Sequence, residues 1–391
     1  MWKPQFERVT FLGALVGGVA LLLPFVEFKP NRVAEGDPFH LWDLGLAWEP
    51  WLLAATVTAA LLLALSGEGP RIRAAKVAAG SALFAAALLV ALRAGAILVT
   101  EATPFGRVGP ISGFWITVLA SFLIVEGSLR TASWNPIVKG AVRVLPLLLV
   151  VGALAAGALD SFAMVQEYLN RADRFSRELT THLQLAAFAV MAAVIIGVPL
   201  GIVAWKRRLL ERPVFTLVNT IQTVPSLALF GLMIAPLALL SRQFPLLRAI
   251  GVQGIGAAPA LIALTLYALL PIVRNTYTSL SVIPNAVIEA GNGVGMSRRQ
   301  LLRFVEAPLS LPIILSGVRT SVVQAIGNTT VAALIGAGGL GVFVFQGLGQ
   351  AAPDLIVMGV IPIILLAVLI DRGMALLIGL LTPPGLRKET L

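Results

Sequence analysis

Ten apolar runs, most of them close to the roughly 20 residues with which a helix spans a bilayer, follow one another along this chain. They lie at about 9–26, 51–66, 74–99, 111–127, 138–159, 180–205, 214–240, 256–273, 309–335 and 354–381. Because a helix satisfies its own backbone hydrogen bonds in lipid, the runs predict an all-α polytopic membrane protein with about ten transmembrane helices. Hydrophobic residues make up 58% of the chain and charged residues 12%, a composition whose apolar surface a soluble fold could not bury.

The basic residues are distributed unevenly between the gaps. If the N-terminus is cytoplasmic and basic residues near the cytoplasmic end of a run, Arg319 and Arg372 included, are counted with that side, 20 of the 29 Lys and Arg residues are inside and 8 outside, while Arg93 is left within the third run. Cytoplasmic loops carry such an excess, so we expect both termini in the cytoplasm. The net charge of +10 then needs no nucleic-acid partner. The first run is followed by Pro24-Phe25-Val26-Glu27-Phe28, without a small-residue cleavage site, which predicts an uncleaved anchor.

A polar stretch divides the ten runs into five and five. Residues 160–178 carry apolar side chains at helical spacing, at Phe162, Val165, Leu169 and Ala172, which predicts a short amphipathic connector on the outer surface. The domain organisation expected is therefore a membrane region at 1–159, the connector, a second membrane region at 179–382, and a cytoplasmic tail at 383–391.

The longest cytoplasmic gap, 275–308, has the pattern of a helix, a turn and a second helix. Pro284 suits a first helical turn, Gly295 a left-handed C-cap and Ser297 an N-cap. The second short helix has an apolar face with Leu301, Phe304 and Val305 and a basic face with Arg298, Arg299 and Arg303. Such a helix suits either a groove on a soluble partner or the lipid head groups, and the pattern alone does not choose.

Three motifs resemble one family of membrane proteins. Glu289-Ala290-Gly291, then Gly295, then Val305-Glu306-Ala307-Pro308 looks like the EAA loop of binding-protein-dependent ABC importer permeases, with departures at Gly291, Val305 and Ala307. The runs 318–341 and 222–229 are similar to the quaternary-amine branch of that family, the glycine betaine, carnitine and choline permeases. The resemblance covers roughly 176–372. The N-terminal helices resemble a longer subgroup of osmoprotectant permeases in length and hydropathy.

The resemblance implies that the C-terminal five helices form the core of a type I ABC importer permease. Its implied partners are a cytoplasmic ATPase dimer, an extracytoplasmic substrate-binding protein and a second permease, identical or paralogous, in the bacterial inner membrane. The implied ATPase-coupling residues are Glu289, Ala290, Gly291, Gly295, Met296, Arg298, Leu301, Phe304, Val305 and Pro308. The implied solute is glycine betaine or a related quaternary amine, with another small polar solute such as an amino acid as the alternative.

Polar groups inside two of the apolar runs are candidates for the pore or a gate, or for hydrogen bonds between helices. They are Thr223, Pro225, Ser226, Gln324, Asn328, Thr329 and Thr330. Pro225 is expected to kink its helix. Asp371 is read as an interfacial pair with the adjacent Arg372, and Arg93 as structural. Trp42, Trp48 and Trp51 fit an interfacial belt better than a cage for a quaternary ammonium group.

The residues that metal binding, nucleotide binding or catalysis would need are missing from the sequence. The chain has no cysteine and only two histidines, His40 and His182, neither clustered with carboxylates, so we expect no metal or cofactor site. The glycines of 336–341 follow no predicted strand, which disfavours a dinucleotide site. No phosphate-binding loop is present, so ATP must be hydrolysed by another polypeptide. A secondary transporter and a membrane-embedded enzyme are disfavoured because the sequence shows no inverted repeat and no catalytic constellation.

Overall fold

A computed structural model describes residues 8–32, 34–67 and 69–383 of the chain. The chain divides into two compact units, Met1–Asn170 and Arg171–Leu391. The predicted tail lies outside the described residues from position 384 onward.

The described residues of the first unit form six helices and three short strands. These elements are α1 (Arg8–Ala20), β1 (Pro24–Lys29), β2 (Asp37–His40), α2 (Glu49–Leu65), α3 (Pro70–Leu98), β3 (Arg107–Pro110), α4 (Ser112–Thr131), α5 (Pro136–Ala155) and α6 (Ala163–Leu169). The strands form an antiparallel sheet in the order β2-β1-β3, which the sequence did not predict. Its strands are only four to six residues long, and the central strand β1 pairs on one side with β3, which is far away in the chain, so no local hairpin signal marks this pairing.

Two buried glutamates of the first unit, Glu49 and Glu167, form ion pairs with arginines from other segments. Arg93 Nε lies 3.1 Å from Glu49 Oε1, and the Glu49 side chain is only 2% exposed. Glu167 is buried and accepts hydrogen bonds from Arg32 Nε at 2.8 Å and Arg107 Nη1 at 2.9 Å. These contacts join helices and loops that are far apart in sequence.

The second unit is helical throughout the residues described, apart from its connecting loops. Its helices are α7 (Ala172–Lys206), α8 (Arg208–Thr223), α9 (Ser226–Gln243), α10 (Pro245–Ala249), α11 (Ala257–Ser281), α12 (Asn285–Gly293), α13 (Arg298–Leu301), α14 (Ala307–Ala332), α15 (Gly341–Gly349) and α16 (Pro353–Leu381). A π-helical turn at Leu302–Glu306 joins α13 to α14, and a 3-10 turn at Ala333–Ile335 follows α14.

Helix α11 lies at the centre of the second unit, packed between α7 and α14. Glycines let the backbones approach closely on both sides. A β-carbon on Gly201 of α7 would lie 2.8 Å from Val273 O, and one on Gly317 of α14 would lie 2.7 Å from Pro271 O. Small residues serve this purpose in membrane helices, where packing is a main driving force for association.

The helical membrane fold predicted from the sequence is confirmed. Within the described residues, eight helices are long and apolar enough to span a membrane, and two shorter apolar helices, Arg8–Ala20 and Glu49–Leu65, correspond to the first two predicted runs. Two boundaries change. The seventh run, 214–240, is divided between α8 and α9, because Pro225 fixes its own backbone and disfavours a helical conformation at Val224. Residues 160–178 are shared between α6 and the first turns of α7.

The predicted second helix of the 275–308 gap is continuous with the ninth span. Residues Arg298–Ile335 form one helical rod of 38 residues. Pro308 has no N–H and would interrupt a regular helix. The π-helical turn precedes it, with Ala307 N donating to Leu302 O, and this wider turn accommodates the proline.

Candidate coupling and translocation sites

The EAA-like segment folds as a short helix, a tight turn and the start of the long rod. Pro284 occupies the position immediately before the first turn of α12, which ends at Gly293. Gly295 has φ = 79°, a left-handed conformation in which a side chain is strained. Its N–H donates to Asn292 O at 2.9 Å, and Met296 N donates to Gly291 O at 3.1 Å. The left-handed turn predicted at Gly295 is therefore present.

The rod begins at the cap predicted from the sequence. Gln300 N donates to Ser297 Oγ at 3.4 Å, and Ser297 N donates to Gln300 Oε1 at 2.8 Å. This reciprocal arrangement is a capping box, which satisfies backbone donors at a helix start. It fixes the point at which the chain leaves the turn and enters the rod.

Leu301, in the first turn of the rod, packs against Gly291 of α12. Its side chain is 6% exposed, and a β-carbon on Gly291 would lie 2.5 Å from Leu301 Cδ1. Phe304, predicted on the same face, is instead 63% exposed. The two side chains are separated because the π-helical turn at Leu302–Glu306 changes the helical phase between them.

The other candidate coupling residues differ in exposure. Gly291 is buried, Met296, Val305 and Pro308 are half-buried, and the exposed ones are Glu289, Ala290, Gly295 and Arg298. Two exposed basic residues, Arg299 and Arg303, continue this surface, and Val294 is 75% exposed. We call the exposed residues of 289–304 the coupling surface.

The break between α8 and α9 is held by α11. Gln222 Nε2 donates to Tyr267 O at 2.8 Å, and Tyr267 Oη donates to Val224 O. Thr223 ends α8 with its hydroxyl donating to Thr220 O at 2.7 Å, and Ser226 starts α9. The kink expected at Pro225 is a full interruption of the helix, closed by hydrogen bonds from a neighbouring helix.

The candidates on α14 are placed differently from one another. Thr329 is buried and its hydroxyl donates to Ala325 O at 2.7 Å within the same helix. Thr330 is half-buried. Asn328 is half-buried as well. Gln324 faces a cavity of about 620 Å³, and the same cavity brings it together with Gln222 of α8. The other residues lining it are Pro271, Ser316, Arg319, Thr320, Val323 and Asp371.

The pairing predicted for Asp371 is wrong. Its carboxylate accepts two hydrogen bonds of 2.6 Å each from Arg319 Nε and Nη2, 52 residues away. Arg372, the next residue along the helix, adds its charge near this carboxylate but does not supply its hydrogen bonds. Arg319, which the sequence assigns to the cytoplasmic side, lies inside α14.

Two polar residues of α7 that were not singled out as site residues hold the loop between α14 and α15. Glu178 Oε2 accepts a 2.7 Å hydrogen bond from Gly339 N, and His182 Nδ1 accepts one of 3.3 Å from Leu340 N. His182 Nε2 lies 3.0 Å from Ile326 O. Since Nδ1 accepts, Nε2 must carry the proton, so the buried ring is neutral. The spacing of Glu178 and His182, four residues apart on one helix, was the available signal.

Known proteins match both units. Residues 193–381 match the family described as binding-protein-dependent transport system inner membrane component, and residues 7–165 match the N-terminal domain of ABC transporter permease YehY. Over 206 residues the chain is 46% identical to the osmoprotectant import permease protein OsmW of Salmonella typhimurium, covering 53% of this chain and 91% of that protein. Over 207 residues it is 38% identical to the choline transport system permease protein OpuBB of Bacillus subtilis, covering 53% and 88%.

A solved structure is also similar. An inward-facing MetNI methionine ABC transporter chain is 24% identical, with a TM-score of 0.46, covering 54% of this chain and 96% of that one. The identity to OsmW across nearly its whole length and the family match over the second unit together establish the class. The chain belongs to the family of binding-protein-dependent transport system inner membrane components.

Proposed function

We propose that this chain is the permease subunit of an ATP-driven importer for glycine betaine or a related quaternary-amine osmolyte. The observation that carries the proposal is the continuity between the coupling surface and the polar cavity. The rod Arg298–Ile335 carries the second half of the coupling surface, from Arg298 to Phe304, and five of the eight residues that line the cavity. A push on the coupling surface would therefore be passed along one helical segment, through its π-helical turn and Pro312, to residues that line the cavity.

The coupling surface is suited to a groove on a separate ATPase. Its exposed apolar side chains, Val294 and Phe304, are accompanied by the basic Arg298, Arg299 and Arg303 and by the acidic Glu289. Interfaces commonly combine a small apolar centre with a charged rim. In this proposal Glu289, Ala290 and Gly295 belong to the contact itself, while Gly291, Leu301 and the capping box hold its shape.

The solute class comes from the relatives. OsmW is named for osmoprotectant import, and OpuBB for choline transport. We assign the same class of solute here, delivered by an extracytoplasmic binding protein. A second permease, identical or paralogous, would complete the pore in the bacterial inner membrane, with both termini of this chain in the cytoplasm.

The direct test is capture of the ATPase by this chain. Tagged protein purified in mild detergent from its own host is expected to retain an ABC ATPase. The variant Val294→Asp, which places a charge on the exposed apolar centre, is expected to reduce the captured ATPase. The matched control is Leu348→Asp, since Leu348 is 60% exposed on α15, away from the coupling segment. Failure of the parent chain to retain any ATPase would overturn the proposal.

A further inference from the structure

An open cavity beside α14 and α16 is lined by several polar side chains. It holds two charged side chains, two amides and two hydroxyls: Arg319, Asp371, Gln222, Gln324, Ser316 and Thr320. Charged side chains in the hydrocarbon region generally face a water-filled space or a partner, because lipid cannot solvate them. The charged lining therefore indicates that water or a polar solute occupies the cavity.

Arg319 and Asp371 lie well inside their helices. Arg319 is 16 residues, about 24 Å, from the end of the rod at Ile335. Asp371 is 18 residues, about 27 Å, from the start of α16 at Pro353 and about 15 Å from its end at Leu381. Measured from the outer ends of the two helices, both depths are shorter than the roughly 30 Å thickness of the hydrocarbon core and correspond to its inner side.

The pair is well formed yet incompletely covered. Arg319 donates two hydrogen bonds of 2.6 Å, from Nε and Nη2, to the two carboxylate oxygens of Asp371. Even so, 35% of the Arg319 side chain and 33% of the Asp371 side chain are exposed. A pair whose only role was to join two helices would not need to line a cavity. Here both residues line it together with amides and hydroxyls; Gln222 and Thr320 have protein partners, Tyr267 O and Ser316 O, while the exposed part of the ion pair faces the cavity.

We propose that this cavity is a water-filled compartment of the solute path, and that the Arg319–Asp371 pair keeps its wall electrically neutral. The inference rests on the proposed permease function, because it assigns the compartment to that path. A neutral, hydrated wall admits small zwitterions and small monocations, the charge classes of quaternary-amine osmolytes, without holding either one tightly. Loss of one partner would leave a net charge that sorts solutes by their charge.

The absence of cysteine from the chain makes the compartment open to chemical probing. Thr320 lines the cavity and is exposed, so Thr320→Cys places a thiol in it. In the assembled transporter in lipid vesicles, this thiol is expected to react with water-soluble methanethiosulfonates, both cationic and anionic. Leu369→Cys is the matched control. Leu369 is 67% exposed on α16 and does not line the cavity, so its thiol is expected to stay unreactive.

The charge of the wall is tested in the Thr320→Cys background. Asp371→Asn leaves the Arg319 charge and is expected to raise the ratio of anionic to cationic reaction rates by about tenfold. Arg319→Gln is expected to lower that ratio by a similar factor. The double variant Arg319→Gln with Asp371→Asn has no net charge at the wall and is expected to stay within about twofold of the parent ratio, which also shows that the cavity survives substitution.

The results that overturn the inference are distinct from those that overturn the proposed function. An unreactive thiol in the Thr320→Cys variant of the assembled transporter, or a ratio that neither single variant changes, contradicts the hydrated neutral compartment. Labelling needs no solute and no ATP. Absence of ATP-driven glycine betaine uptake by the parent transporter would instead contradict the proposed function, whatever the labelling shows.

Discussion

The δ1 methyl group of Leu301 occupies the space that a side chain on Gly291 would need, 2.5 Å from the position of its β-carbon. This contact joins α12 to the start of the rod. We expect Gly291→Leu to force the two segments apart at a cost of about 1–3 kcal/mol. ATP hydrolysis by the assembled transporter should continue while solute uptake per ATP falls. Asn292→Leu is the control, because Asn292 is exposed; equal effects of the two changes would contradict the packing role of Gly291.

Gly295 is expected to tolerate a side chain poorly because of its backbone and not because of crowding. Nothing lies within 4 Å of a β-carbon on Gly295 or on Gly293, but only Gly295 of the two has a positive φ. Gly295→Ala should therefore destabilise the turn by about 1 kcal/mol. Gly293→Ala, inside α12, should be neutral or stabilising. Thermal unfolding of the detergent-solubilised protein and uptake assays check this, and a Gly293 variant as harmful as the Gly295 variant would be inconsistent with it.

Ser297 is expected to stabilise the start of the rod through its capping box. Ser297→Ala removes the acceptor for Gln300 N and should cost about 1 kcal/mol, whereas Ser297→Asp should retain most of the stability. Hydrogen exchange of the amides at 298–301 measures the effect. Ser281→Ala is the control, since that hydroxyl donates to Tyr277 O within its own helix. Unchanged exchange in Ser297→Ala would show that the cap does not hold this end.

His182 is expected to hold the loop between α14 and α15. His182→Ala would leave Leu340 N without its present partner, which costs about 1–3 kcal/mol for a buried donor, and would remove a second hydrogen bond at Ile326 O, which lies within α14. The amides of Gly339 and Leu340 should then exchange faster with solvent. His40→Ala, at an exposed position, should change nothing. Retained protection at Leu340 in the His182 variant would rule out this anchoring role.

The sequence was sufficient for features that depend on local chemistry. Hydropathy located the membrane-spanning helices because an apolar run in lipid must form a helix, which satisfies all its backbone hydrogen bonds within the run. Gly295 and Ser297 could be assigned to a turn and a cap because both roles follow from a single residue type. Pro225 was recognised as a disturbance of its helix for the same reason.

Features that depend on distant contacts could not be read in this way. Asp371 has an arginine beside it in sequence, but its partner is Arg319, which the packing of α14 against α16 brings within 2.6 Å. The sheet pairs Phe28 with Val108, residues from separate gaps. Phe304 was assigned to the face of Leu301 by regular helical spacing, and the π-helical turn removed that regularity.

Solute uptake is the most direct test of the central claim, that this chain forms the membrane path of an ATP-driven importer. Proteoliposomes containing this chain, the captured ATPase and the cognate binding protein should accumulate radiolabelled glycine betaine or choline only when ATP is supplied. The accumulation should disappear when the ATPase is omitted. Uptake that proceeds without ATP and follows an imposed ion gradient would contradict the account.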